Sequence, residues 1–347
     1  MNTTDSEIIK FVRFPLIVWV VFMHSILCSS GGLLDMGYPV CSYILGFVSV
    51  SVRVPIFFFI SGYCFFIGVQ KFSKSLYFDK LKRRVRSLII PYFIWNGVVI
   101  GYFVIAHTLF PELINDEFEN VSEYSWPDYF AAFYNKSGGQ PIAYQLWFLR
   151  DLIQVCILTP LIYFIMRKIK LGGVLLMLIL YINPMNYRIP LRVGIAFFSI
   201  GAYFPINGKC FSDMLTAFKR YGGCIAFVGI TIFSILFPKY EMLRCICVIF
   251  YGITVLCFVK YLVQHRYNMP QLLTDSNYFI YLWHGFPIWV VKFVFEKILR
   301  LDTGVQYLAS SLAVCLITTS LGIIIYWCLN KYLPRITSIL VGKKLMG

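Results

Sequence analysis

The chain has 347 residues, 59% of them hydrophobic and 14% charged, and a mean hydropathy of +0.74. A soluble protein of this size needs more charge than that to cover its surface, which excludes a soluble globular fold. The net charge of +15 is therefore read first as the basic loops of a membrane protein, and nucleic acid is not expected as a partner.

Apolar runs of about 20 residues recur from end to end, and none alternates in period two as a β-barrel strand would. The fold class expected is all-α: one polytopic membrane helical bundle over residues 1–347, with about ten transmembrane helices. The first ten residues are short and polar. The run after them has no small-residue cleavage site, so no cleavable signal peptide is expected.

Span one, Ile9–Ser29, carries Arg13 and His24. Eleven positions at about 100° each return to nearly the same face, about 16 Å further along the axis. Ionisable groups inside a bilayer are costly and usually functional. Span two, Tyr43–Val69, contains Arg53 and Pro55, and the densest basic segment of the chain follows, with Lys80, Lys82, Arg83, Arg84 and Arg86. Span three is Ser87–Phe110. Residues 111–145 form the one long polar connection, acidic in character and expected outside the cell membrane. Its Tyr124, Trp126, Tyr129 and Tyr134 suit either stacking on sugars or a place at the membrane interface.

Span four, Leu146–Met166, opens Leu146-Trp147-Phe148-Leu149-Arg150-Asp151. Spans five (Leu171–Asn183) and six (Leu191–Pro205) are short. Span seven is Gly222–Phe237, span eight Leu243–Val263, span nine Asn277–Phe295 with Tyr281 and His284, and span ten Tyr307–Leu329. Most of the 11 cysteines fall in or beside apolar runs without metal-type spacing, so they read as small buried hydrophobes and no metal site is expected.

With N- and C-termini in the cytoplasm, about 20 Lys and Arg lie inside and about 7 outside, which sets the orientation. Depth then follows from position. Arg13 falls in the inner third and His24 near the outer edge. Arg150 and Asp151 fall near the outer edge as well, and Tyr281 and His284 in the inner half. Arg83 and Arg86 share a face at the inner mouth. A carboxylate beside an imidazole fixes its tautomer, and an Arg pair suits phosphate oxygens.

Each group has a plainer alternative. Arg83 and Arg86 serve equally as anchors to lipid phosphate. Arg150 and Asp151 are adjacent and face different ways, so Asp151 need only hold a neighbouring helix. An intramembrane His is often a helix–helix hydrogen bond, and Arg53 before Pro55 satisfies backbone freed by a kink.

These motifs resemble the acyltransferase 3 family of integral-membrane acyltransferases, over nearly the whole chain. The resemblance runs from Arg13-x10-His24 through Val54-Pro55-Ile56-Phe57-Phe58-Phe59-Ile60-Ser61-Gly62 and Arg83-x-x-Arg86 with Ile90-Pro91-Tyr92. It continues through Leu146-Trp147-Phe148-Leu149-Arg150-Asp151-Leu152 to Ser276-Asn277-Tyr278 and Tyr281-Leu282-x-His284. It implies transfer of an acyl group, most often acetyl, from cytoplasmic acyl-CoA to a sugar hydroxyl of a cell-surface glycan or lipid-linked sugar, at the bacterial inner membrane. It also implies essential roles for Arg13 and His24 and a tie of Arg83 and Arg86 to the donor.

In the expected mechanism acetyl-CoA docks at Arg83, Arg86 and Arg13, with Tyr281 and His284 also on the donor side. His24 acts as general base or carries the acyl group, oriented by Asp151. Arg150, Arg53 and Trp147 lie on the acceptor side, where Arg150 or Arg53 steadies the oxyanion. The stand-alone form, without a soluble hydrolase-like domain, is expected. The competing expectation is a glycan transporter or flippase. Against it stand the absence of an inverted repeat and of a pair of broken helices at matching positions.

Overall fold

The computed structural model describes residues 3–27, 49–109, 121–135, 139–183, 191–216, 241–298 and 304–343. Every long element there is helical. Helix α1 is Thr3–Ser25, α2 Ser49–Phe66 and α3 Lys74–Arg84; α3 passes through a π turn, Val85–Ile89, into α4, Ile90–Leu109. A short helix, α5 (Trp126–Tyr134), precedes α6 (Trp147–Ile157) and α7 (Thr159–Lys168). Then come α8 (Leu171–Ile182), α9 (Arg192–Ile206) and α10 (Phe211–Thr216). The chain closes with α11 (Glu241–Gln264), α12 (Gln271–Trp283), α13 (Gly285–Ile298), α14 (Gly304–Tyr332) and α15 (Pro334–Leu340).

Four continuous helices, α1, α3–α4, α11 and α14, are long and apolar enough to cross a membrane, and two bent pairs bring the number to as many as six. Exposed Val98, Ile105, Leu316 and Ile324 lie on the outsides of α4 and α14, where lipid tails would cover them. This is a polytopic membrane helical protein. Three shorter apolar helices, in α2, α8 and α9, fall on predicted spans. With the long helices and bent pairs they account for nine of the ten runs. The seventh, Gly222–Phe237, lies outside the described residues, as do 110–120 and the loop after α8.

Two spans are broken where the sequence suggested unbroken ones. Span four bends by 63° between α6 and α7, and span nine by 74° between α12 and α13. Proline explains both. A helical Pro loses its N–H and its ring crowds the carbonyl four residues back. Pro160 acts in this way on Cys156, whose carbonyl instead accepts from Thr159 Oγ1 at 2.7 Å. Pro287 acts on Trp283, the last residue of α12. The two spans read as unbroken are therefore corrected to bent ones. Span three also differs: the helix starts at Lys74, so the basic segment is part of it and not a loop before it.

Helix α1 is the hub, in contact with α2, α11, α12, α13 and α14. Ile8, Val12, Leu16 and Val21 are buried along it. Its first turn is fixed by Asp5, fully buried, which accepts from the Tyr63 hydroxyl and from the Ser212 amide. The closest helix pair is α2 with α9, where glycines replace side chains at the crossing.

Candidate active site

At the end of α1 that carries His24, four helix segments and a turn converge. The His24 ring lies 5.4 Å from that of His284, centroid to centroid, and 5.0 Å edge-on from Tyr144. Tyr144 stacks on Trp289 at 5.7 Å. The charges of Arg53 and Lys292 are near enough to act on the His24 ring. Both are also tied to α1: Arg53 donates to the Trp19 carbonyl at 3.1 Å and Lys292 to the Ile26 carbonyl at 2.8 Å.

His284 sits at the break between α12 and α13 and is fully buried. Its Nδ1 lies 2.7 Å from the Tyr281 carbonyl and 3.1 Å from that of Ile280. Both partners are acceptors, so Nδ1 carries the hydrogen and Nε2 is the bare nitrogen. Nε2 is buried without a hydrogen-bond partner, and so is Nε of Arg53. Buried polar atoms are nearly always paired, so two orphans of opposite type, an acceptor and a donor, beside a third polar ring need an explanation.

The break is held open by Gln145. Its amide donates to the Leu282 carbonyl at 3.2 Å, its own carbonyl accepts from the Tyr281 hydroxyl at 3.0 Å, and a Cβ on Gly285 would collide with its side chain. Tyr281 is thus used to hold the turn before α6 against α12. His284 stands at the level of His24, although the sequence placed it in the inner half. The reason is that α12 begins at Gln271, six residues earlier than expected, which lifts His284 by about 9 Å.

The groups near the outer edge behave differently from expectation. Arg150 and Asp151, read as facing different ways, form a pair: Nε and Nη2 of Arg150 reach one carboxylate oxygen at 2.9 and 2.8 Å. Arg150 also donates to the carbonyls of Tyr134 and Gly139, each at 2.7 Å, and its guanidinium lies over the Tyr134 ring at 5.4 Å. Asp151 is therefore committed to Arg150, and the rings against His24 are His284 and Tyr144. Trp147 is half-buried at the start of α6. In the loop, Trp126 and Tyr134 are exposed, while Tyr124 and Tyr129 pack edge to face at 5.4 Å.

At the other end of α1, Arg13 donates to Cys64 Sγ at 3.7 Å. Arg83 and Arg86 are exposed; Arg83 lies in the last turn of α3 while Arg86 lies within the wider π turn, so their three-residue spacing does not stack them as in a continuous α-helix. Arg84 turns inward. It lies 5.5 Å over the Phe65 ring, its charge reaches Cys64, Cys156 and Tyr278, and Lys80 beside it donates to the Phe65 carbonyl. Sequence reasoning passed over Arg84, Tyr144, Gln145 and Lys292. Only Pro287, three residues after His284, signalled that this His occupies a break.

His24, His284 and Tyr144 thus gather at one end of the hub helix, and Arg13 and Arg84 lie near Cys64 at the other. The family model described as "Acyltransferase domain" matches residues 7–327. The succinoglycan biosynthesis protein ExoH of Rhizobium meliloti (strain 1021) is 27% identical over 217 residues, covering 60% of this chain. The chain spans 56% of that relative's length. No solved structure matches. With nearly all of its helices inside the matched range, the chain belongs to the acyltransferase 3 family of membrane acyltransferases.

Proposed function

We propose that this protein is a membrane O-acyltransferase, most readily an O-acetyltransferase, that moves an acyl group from cytoplasmic acyl-CoA to a hydroxyl of a cell-surface or exported glycan. The observation that carries the proposal is the buried, unpartnered Arg53 Nε beside His24: a fixed donor where a developing oxyanion needs one. The role of the ExoH relative in succinoglycan biosynthesis, given by its name, supports a glycan acceptor. In this reading the chain crosses a bacterial inner membrane about ten times, with both termini in the cytoplasm.

The phosphates of the donor dock among Arg13 and Arg84, with Arg83 and Arg86 at the rim, and the thin pantetheine arm carries the thioester toward His24. His24 takes the proton of the acceptor hydroxyl as its oxygen attacks the thioester carbonyl. Arg53 donates to the resulting oxyanion. The C–S bond then breaks, and the departing thiolate takes the proton from His24, giving an acyl ester and free coenzyme A.

The test is acceptor-dependent thiol release by purified protein given acetyl-CoA and candidate glycans. His24→Ala should lose transfer, while coenzyme A still raises its melting temperature. Full activity in that variant would overturn the reading. The two broken helices favour one other reading, a glycan transporter, since half-helix ends often line transport sites. Glycan flux without thiol release would decide for it.

A further inference from the structure

We propose that His284 is the positioning partner of His24, its bare Nε2 accepting from the His24 ring while that ring takes the acceptor's proton. This rests on the acyl-transfer reading above. A general-base imidazole has two nitrogens: one takes the proton, and the other must give its N–H to something that steadies the cation. A carboxylate usually fills that place. Here Asp151, the acid considered for it, is committed to Arg150.

Four observations assign the place to His284. The two rings are 5.4 Å apart, close to the centroid distance of a direct N–H···N bond between imidazoles. The Nδ1 hydrogen of His284 is fixed by two carbonyls of its own helix end, which leaves Nε2 as an acceptor. Nε2 is buried and makes no hydrogen bond in the structure, to His24 or to any other group, which leaves it free to accept. Finally, the break that creates this arrangement is locked by Gln145 against Leu282, with Gly285 leaving the space for it.

The step balances without a further reactant. The hydroxyl proton moves to His24, and the other His24 N–H donates to His284 Nε2 without leaving. The proton then returns to the coenzyme A thiolate as the C–S bond breaks. Nδ1 of His284 keeps its hydrogen throughout.

Two substitutions separate the nitrogens. His284→Asn keeps an amide N–H near the Nδ1 position, able to reach the Tyr281 carbonyl, and removes the atom at Nε2. His284→Gln places an amide group near Nε2 and gives up the Nδ1 donor. The proposal expects kcat to fall about 100-fold in His284→Asn with the acetyl-CoA KM within about twofold, and about tenfold of that loss to return in His284→Gln. Both variants should keep the melting temperature shift with coenzyme A. His284→Asn within about threefold of wild type would overturn the proposal, and an inactive His24→Ala in the same assay would show that the acyl-transfer reading survives. Equal losses in both variants with a lowered melting temperature would also overturn it, since the role would then be structural.

Discussion

Gly62 meets Phe198 backbone to backbone. A Cβ added at Gly62 would land on the Phe198 carbonyl, and one at Gly201 on the Phe59 carbonyl, so α2 and α9 touch through two reciprocal glycine contacts. The colliding atoms are main chain and cannot rotate away. Gly201→Ala should cost about 1–3 kcal/mol, seen as a lower melting temperature and a poorer yield in detergent. Gly252→Ala is the control: its added Cβ would sit 3.8 Å from Ile56, an ordinary contact, and stability should hold.

Arg53 separates charge from geometry. Arg53→Lys keeps a cation near His24 but loses the buried Nε–H. The expected result is a drop in kcat of about 100-fold with the acyl-CoA KM little changed. A kcat within a few-fold of wild type would confine Arg53 to holding the Trp19 carbonyl.

For donor binding, Arg84 should outweigh its neighbours. It faces the interior beside Cys64 while Arg83 and Arg86 are exposed. Titration of acetyl-CoA should show Arg84→Ala raising KM about tenfold, equivalent to about 1.4 kcal/mol, and Arg83→Ala only a few-fold. Equal effects would mean that the exposed rim binds the phosphates.

Asp151 is expected to act on structure more than on chemistry. Asp151→Asn frees Arg150, which ties the loop through the Tyr134 and Gly139 carbonyls. A partly exposed pair of this kind contributes about 0–1 kcal/mol. Activity should stay within about tenfold of wild type, while limited proteolysis near α5 becomes faster. A loss as complete as that of His24→Ala would return Asp151 to the reacting groups.

The sequence was most informative where physics is one-dimensional. Apolar run length located α1, α11 and α14, because a bilayer sets the length of a helix directly. It placed Arg13 and His24 correctly on the hub helix, since both lie on one unbroken stretch. It went astray with His284, whose level depends on where α12 starts, and with Asp151, whose partner proved to be the adjacent residue. Arg84 was hidden between two arginines that matched a familiar spacing. Which of the three turns inward is set by packing against Phe65, which no spacing records. The breaks at Pro160 and Pro287 were readable in principle, because each proline stands inside an apolar run.

The break at His284 ties the shape of the span to the state of the imidazole. In an unbroken helix the Tyr281 carbonyl would accept from the amide of residue 285; here the His284 ring claims it. Straightening the span would return that carbonyl to the backbone and let the ring hydrogen move to the other nitrogen. The bend angle and the polarity of the imidazole are thus joined through one carbonyl.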